Sequence, residues 1–268
     1  MANAVLRDLG MGKRGFAKLL CAGLCCVGLC SIVATPAIAE VNDRLSQQHF
    51  GSISPGDFVA GDTVRFQLVR YRGEYIMRVA GDQETYVLYA DYGSMGGRVL
   101  RYDSGAVAIQ VAGWGAMTLY TDSKPDGLPA MRTGDTQNWS PPAVTYNQLM
   151  GAAEDEAAHV AYVSGVRITF SADWSAYATD AYRRGILYDV MENAARGILR
   201  LATNTQARTA FAQRISSVRF QPSNKPTMQI NGRTLIITFN PQQGFMGRAS
   251  SRATAFALGK LLRTPVPN

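Results

Sequence analysis

The chain has 268 residues and a formal net charge of +7 at neutral pH. This length allows a hydrophobic core that needs no covalent cross-links, in one large domain or two small ones. All four cysteines lie between residues 21 and 30, so removal of that segment would exclude disulfides, zinc–thiolate sites and cysteine nucleophiles from the remaining chain.

The first 39 residues contain the three parts of a secretory signal peptide in the expected order. A basic stretch at 13–18 precedes an apolar run over 19–33, and Ala37-Ile38-Ala39 provides the small residues of a cleavage site. The apolar run has 15 residues, fewer than the roughly 20 that a membrane-spanning helix needs. We therefore expect cleavage after Ala39 and a soluble periplasmic protein with no transmembrane segment. The pattern at 12–18 leaves the Sec and twin-arginine export routes both open.

From residue 64 onward, apolar and polar residues alternate with the period of a strand that has one solvated face. Short glycine-containing turns separate these alternating runs. The runs lie at 64–69, 75–80, 85–91, 98–102, 106–112 and 116–121. About six strands joined in this way predict an antiparallel β-meander within a first half at 40–122, either a curled sheet or a small barrel.

The alternation stops over 123–143, where prolines and glycines concentrate. Such a stretch is typical of a connector, and we interpret it as a linker between two halves of the chain. Whether the halves are independent domains stays open at this point.

The second half, 144–268, is predicted to mix helices and strands. Thr145 and Gln148 have the spacing of a capping box at the start of a helix. Further helices are expected at about 180–202, 204–215 and 250–262, from apolar residues that recur with helical period. Strands are expected at 166–170, 218–221, 228–230 and 233–239, and the pattern as a whole predicts an α+β half with a small antiparallel sheet.

The two halves carry charge of opposite sign. Residues 40–143 contain 9 Lys and Arg against 12 Asp and Glu, whereas 144–268 contain 14 against 7. After Glu192 there are 11 cationic side chains and no acidic one. This excess predicts attraction to anions, which in the periplasm would be an anionic envelope component or an acidic protein surface rather than nucleic acid. The alternative interpretation is that acids of the first half dock onto bases of the second.

One loop is the best candidate for an anion-binding site, because it leads from a strand into a helix whose first N–H groups need acceptors. Glycine, hydroxyl and guanidinium groups could converge there on one phosphate or carboxylate. The candidate residues are Gly247, Arg248, Ser250, Ser251 and Arg252. A simpler interpretation is that Ser250 or Ser251 is an ordinary helix cap.

A second set of residues could hydrolyse glycosidic bonds with paired carboxylates. Asp173 lies beside Trp174 and Tyr177, whose rings suit a sugar, and Asp189 and Glu192 are one turn apart on a predicted helix. The same two acids are also placed to pair with arginines on that helix.

A metal site receives little support from the sequence. Glu156 and His159 have the Glu-x-x-His spacing of a carboxylate-bridged metal centre, but the sequence contains no second copy of that spacing. We expect neither a metal nor a cofactor.

Several segments of the chain resemble a known family. They are Tyr102-Asp103-Ser104-Gly105 and the runs 113–122, 127–130, 170–174 and 192–197. These segments are similar to an uncharacterised family of exported alphaproteobacterial proteins, and the resemblance spans nearly the whole chain after residue 39. It implies export and family membership, and it implies no activity and no catalytic residue.

The sequence therefore leaves three functions open. The first is a non-catalytic envelope binding or interaction module with a basic second half. The second is a carboxylate-dependent hydrolase of cell-envelope glycans. The third is a periplasmic hydrolase inhibitor, because the strand-rich stretch from Ser94 to Asp122 loosely resembles small β-sheet lysozyme inhibitors.

Overall fold

The structure, a computed structural model, describes residues 53–264. The expected signal peptide, its cleavage site and all four cysteines lie outside these residues. None of the helices within 53–264 is both long and apolar enough to cross a bilayer.

The first half is a closed antiparallel barrel of eight strands, in which each strand pairs with the next and the last returns to the first. The expectation of about six strands is wrong in number, because β1 and β8 were missed. The strands are β1 Gly56–Ala60, β2 Val64–Tyr71, β3 Glu74–Val79, β4 Thr85–Tyr92, β5 Arg98–Tyr102, β6 Val107–Val111, β7 Met117–Thr121 and β8 Lys124–Gly134.

Strand β8 occupies much of the stretch that was expected to be a linker. Prolines are typical of loops, because they lack the N–H group that a strand donates to its neighbour. Pro125 and Pro129 nevertheless lie within β8. The carbonyl of Pro129 accepts a hydrogen bond of 2.8 Å from the Gly61 N–H, so proline still takes part in the closure. The connection between the halves is therefore shorter than 123–143.

Side chains fill the barrel. Alternate residues of each strand point inward, as a period of two requires, and Phe58 stacks on Phe66 with ring centroids 5.0 Å apart. Leu68, Leu88 and Leu100 are completely buried in the same cluster. The interior is a packed core and not a ligand cavity.

The second half contains four helices and a four-stranded sheet. Thr145 and Gln148 form the expected capping box, and Asp180, Asn204 and Ser250 cap the three later helices. The helices are α1 Tyr146–Ser164, α2 Ala181–Ala202, α3 Thr205–Arg214 and α4 Ser251–Leu262, and the strands are β9 Thr169–Ser171, β10 Ser217–Pro222, β11 Thr227–Asn231 and β12 Thr234–Phe239.

The small sheet is mixed, whereas an antiparallel sheet was expected. Its order is β11-β12-β10-β9, and β9, β10 and β12 are mutually parallel. Helices α2 and α3 connect β9 to β10, and a helical crossover of this kind returns the chain to the same end of the sheet. Only the β11–β12 hairpin is antiparallel, around a turn in which Gly232 has a φ of 58°.

Helix α2 is the centre of the second half and packs against both α1 and α4. Its contact with α4 is close at Gly197, where an added Cβ would lie 2.5 Å from the Thr254 side chain. A third cluster joins the halves: Val69, Ile76 and Val87 face outward from β2, β3 and β4 and pack with buried Phe245. The outer wall of the barrel is thus a packing surface for the second half.

Candidate functional site

The barrel has two distinct ends, because successive turns of an antiparallel barrel lie alternately at one end and the other. The docked end consists of the turns at 61–63, 80–84, 103–106 and 122–123. The far end consists of the turns at 72–73, 93–97 and 112–116. We use these two names below.

Two turns of the docked end contribute a carboxylate to the first turn of helix α4. The Ser251 N–H donates to a carboxylate oxygen of Glu84 at 2.8 Å, and its hydroxyl donates to the other oxygen at 2.5 Å. Ser250 makes the same pair of hydrogen bonds to Asp103, with 2.7 Å from its N–H. The unsatisfied N–H groups and positive dipole of a helix start favour such carboxylates.

Arg248 lies at the centre of this contact and is 3% exposed. Its Nε donates to Asp189 of helix α2, and its Nη2 donates to the Thr85 carbonyl oxygen at 2.5 Å. Burial lowers the pKa of Arg248, but the charges of Asp189 and Glu84 outweigh burial and raise it overall. The guanidinium therefore stays charged inside the protein.

Another acid of the docked end, Asp122, contacts two further cations. Arg252 of α4 and Arg200 of α2 both form ion pairs with it. The Arg252 guanidinium also lies 4.3 Å from the centre of the Tyr102 ring, in cation–π geometry. Helices α2 and α4 are thus held to one carboxylate of the barrel.

In the structure, the loop that was predicted to bind an anion contacts carboxylates of the same chain. Arg248, Ser250, Ser251 and Arg252 all contact acids. Gly247 has a different role, because an added Cβ there would lie 2.0 Å from the Asn240 carbonyl oxygen. Docking of first-half acids onto second-half bases is therefore seen at this loop, while an external ligand for it stays a prediction.

The residues predicted for glycan hydrolysis fall into two groups. Asp173 accepts a hydrogen bond of 2.7 Å from the Ser175 hydroxyl, Trp174 packs against the core, and Tyr177 is buried. Asp189 is paired with Arg248, and Glu192 is paired with Arg196 at 2.6 Å. Within residues 53–264, no hydrogen bond or ion pair joins the two groups.

Glu192 has an acidic neighbour that the sequence did not connect with it. Burial raises the pKa of Glu156 on helix α1, and the charge of Glu192 raises it further. Glu156 and Tyr188 line a cleft of about 310 Å³ between α1 and α2. Two helices thus bring the acids Glu156 and Glu192 near each other, and Glu192 also forms an ion pair with Arg196.

Five cationic side chains of the second half lie at one end of the small sheet. Arg233 at the start of β12 donates to the Gln213 carbonyl oxygen at 2.5 Å, and Arg214 at the end of α3 donates to the Leu261 carbonyl oxygen at 3.1 Å. The C-termini of α3 and α4 therefore meet at the amino ends of the parallel strands. We call this surface the cationic end and define it by Arg167, Arg214, Arg233, Lys260 and Arg263.

All five members of the cationic end are exposed. None of them has a carboxylate within 4.0 Å in the part of the chain that the structure describes. Sequence reasoning recognised the excess of cations but could not locate this cluster, because its members are brought together by the meeting of two helix ends with one sheet edge.

Comparison with curated proteins and with solved structures gives no match. A family model matches residues 40–258, which is most of the chain. Alphaproteobacterial origin and export, which the resemblance implied, stay predictions. The chain belongs to the family described as a domain of unknown function, DUF4908.

Proposed function

We propose that this protein is a non-catalytic binding module of the cell envelope that uses its cationic end to bind a phosphate-bearing partner. The observation that carries the proposal is the cluster of five exposed cations at one end of the small sheet, without acidic partners among residues 53–264. Guanidinium groups suit phosphates because they offer a planar fork of N–H donors.

The distribution of ion pairs supports this proposal. Arg196, Arg200, Arg248 and Arg252 bind acids inside the protein and are not offered to a ligand. The cationic end keeps its charge at the surface, where it raises a positive potential that reaches about one Debye length into solution. The second half therefore has a structural set of cations and an exposed set.

A periplasmic location is part of the proposal. It is supported by the signal-peptide pattern of residues 1–39. It is also supported by the family model, which starts at residue 40, directly after the expected cleavage site. Phosphate groups in that compartment belong to phospholipids and to lipopolysaccharide.

The test compares two double variants in binding to phosphatidylglycerol vesicles and to soluble heparin. Arg167→Gln with Arg263→Asn removes two charges of the cationic end, and the matched control Arg65→Gln with Lys225→Gln removes two exposed charges elsewhere. We expect the first to weaken binding by about tenfold or more at low salt and the control to change it little. Equal behaviour of the two variants would contradict the proposal.

The two probes separate the possible sources of the anion. Binding to vesicles alone would assign phospholipid phosphate, and binding to heparin alone would assign an anionic glycan. Since the attraction is electrostatic, added salt should weaken both. Binding that resists salt would require a different explanation and would count against the cationic end.

A carboxylate hydrolase is the second candidate, and one observation favours it. Burial and the charge of Glu192 raise the pKa of Glu156, which lines the cleft between α1 and α2, and a raised pKa suits the general acid of a carboxylate hydrolase. Purified protein should then release fragments from peptidoglycan, and Glu156→Gln should abolish the release. Absence of any release by the wild-type protein would remove this candidate.

A further inference from the structure

Two turns at the far end of the barrel expose large apolar side chains. Tyr92 is 81% exposed at the end of β4, Met95 is 84% exposed in the turn that follows, and Trp114 is 77% exposed at the tip of the β6–β7 turn. We call these three side chains the apolar tip. Apolar side chains this exposed and this close together on a soluble domain often mark a binding surface.

The two turns that carry the tip are packed against each other. An added Cβ on Gly113 would lie 2.4 Å from the Met95 carbonyl oxygen, and one on Gly97 would lie 2.5 Å from the Val111 carbonyl oxygen. Only glycine allows this approach. Met95 has a φ of 50°, which is uncommon for a residue with a side chain. Its side chain is exposed to solvent. The tip is therefore presented by a fixed support.

The chemistry of these turns is neutral. The segments 93–97 and 112–116 contain no ionisable side chain. Hydrogen bonds within the turns link Gly93 N–H to the Gly97 carbonyl and Ala112 N–H to the Ala116 carbonyl, at 2.9 and 2.8 Å. A turn whose backbone groups are paired internally can leave water at a lower cost than one whose groups are open.

One cation lies beside Tyr92, because Arg98 is its cross-strand partner. The Arg98 guanidinium is 4.2 Å from the centre of the Tyr92 ring. Tyrosine and tryptophan rings favour the boundary between lipid tails and head groups, and an arginine beside them can remain at head-group level. Arg98 and the ion pair between Asp91 and Arg101 lie on the barrel side of the two turns, so charged groups follow the apolar ones in the order that a lipid surface requires.

The size of the tip separates a lipid partner from a protein partner. Aromatic side chains bury about 150–250 Å² each, so Tyr92 and Trp114 together offer roughly 300–500 Å², to which Met95 adds. A specific protein interface takes about 800 Å² from each partner and needs matched shape. Insertion into lipid has no such requirement for area or complementarity.

We propose that the apolar tip inserts Tyr92, Met95 and Trp114 into the interfacial region of a lipid bilayer, so that the protein is a peripheral membrane binder. This inference goes beyond the proposed function, because it uses another surface and another force. The cationic end acts through charge, whereas the tip acts through burial of apolar area and is insensitive to lipid charge.

The experiment uses vesicles of phosphatidylcholine alone at high salt, a condition in which the cationic end contributes little. Trp114 is far more exposed than Trp139 and Trp174, which are partly buried, so insertion should shift the fluorescence emission of the protein to shorter wavelength. The shift should rise with lipid concentration and saturate. Protection of the same emission from a soluble quencher provides a second readout.

The test variant combines Tyr92→Ser, Met95→Asn and Trp114→Ser, and its binding is measured by co-sedimentation with vesicles. Asparagine is chosen because it tolerates positive φ. The matched control is Tyr162→Ser, since Tyr162 is 90% exposed on helix α1, outside the tip. We expect the triple variant to lose at least about tenfold in apparent affinity and the control to bind as wild type.

Three results would overturn the inference. Wild-type emission that stays unchanged at saturating phosphatidylcholine would show that Trp114 does not insert. Equal sedimentation of the triple variant and wild type would show that other residues carry the binding. Inhibition of an envelope hydrolase that the same three substitutions abolish, without vesicle binding, would assign the tip to a protein partner. Failure of the heparin and phosphatidylglycerol tests leaves these measurements unaffected.

Discussion

The two ends of the barrel differ in chemistry at most of their turns, although one far-end turn holds Arg72, which donates to the Gln242 carbonyl oxygen of the second half. The docked end presents Glu84, Asp103 and Asp122, and each of these acids meets a cation or a helix N-terminus from the second half. The far end presents Tyr92, Met95 and Trp114 to solvent. The charged side chains of the docked end hold the two halves together, whereas the apolar side chains of the far end are exposed and can contact a partner.

This difference shows why net charge alone is a poor guide to a binding site. A buried or half-buried ion pair removes both of its members from the surface. The cations of a basic segment can therefore be neutralised by acids of the same protein. Arg248 is the strongest case, because its nearest anions are Asp189 and Glu84. The cations that remain free to bind a partner are those that the fold does not pair with an acid.

The largest expected effect comes from removing the charge of Arg248, at the centre of the docked end. Arg248→Met leaves Asp189 and Glu84 buried without their cation, so the free energy of unfolding should fall by about 3–5 kcal/mol. Chemical denaturation followed by circular dichroism measures it. Arg219→Met, at an exposed cation on the small sheet, is the matched control and should change stability by less than about 0.5 kcal/mol. Similar losses in both would show that Arg248 has no special role.

High pH should weaken the docked end as well. Burial is the main cause that raises the pKa of Tyr102 from 10.0 to about 12. Because the folded-state pKa is the higher one, this contribution is complete below pH 10 and is lost as the pH rises to about 12. A shift of this size corresponds to about 2–3 kcal/mol.

Tyrosinate absorbance and denaturation, measured in parallel, test this prediction. Tyr102→Phe should lose less stability than wild type over the same alkaline range. Identical pH profiles for the two proteins would contradict it.

A milder change tests the start of helix α4. Ser251→Ala removes one donor to the Glu84 carboxylate and should lower stability by roughly 1–3 kcal/mol at neutral pH. Burial raises the pKa of Glu84, and Ser251 opposes that rise. The loss should therefore shrink as the pH falls and Glu84 becomes protonated. Ser94→Ala at the far end is the control, and a loss that does not depend on pH would argue against the proposed hydrogen bond.

The smallest expected effect on stability comes from substitutions in the apolar tip, at the far end of the barrel. The triple change Tyr92→Ser, Met95→Asn and Trp114→Ser should leave the free energy of unfolding within about 0.5 kcal/mol of wild type. These side chains are largely exposed, so the folded state gains little from them. Thermal and chemical denaturation would measure the change. A large loss of stability would mean that the tip is part of the core and not a surface for partners.

Much of the fold could be predicted from sequence because its signals are local. Alternation found six of the eight barrel strands, and Thr145 with Gln148 marked the first helix. The missing strands had weak local signals: β1 begins with Gly56 and Asp57, two residue types that are depleted in strands, and β8 contains two prolines. Closure of the barrel and the mixed small sheet depend on pairing between distant segments, which periodicity does not report.

The sequence indicated which residues of the loop could contact an anion, but it could not indicate which groups of the fold they contact. The residues from Gly247 to Arg252 have the chemistry of an anion site, and their ligands proved to be carboxylates from turns of the barrel. Those partners are separated from the loop by 147 and 167 residues for Ser250 and Ser251. Sequence spacing cannot connect groups so far apart. The pairing of Glu156 with Glu192 was missed for the same reason.

Helix α4 is the last helix of the described chain, yet it neutralises acids that were synthesised far earlier. A nascent chain can form the barrel by local pairing of neighbouring strands. The contacts that cover its docked end can form only after Arg248, Ser250 and Ser251 have been synthesised. A polypeptide that stops before residue 248 would present an acidic, uncovered surface. The segment from Arg248 to Arg252 therefore completes the docked end, and a chain truncated before it should be prone to degradation.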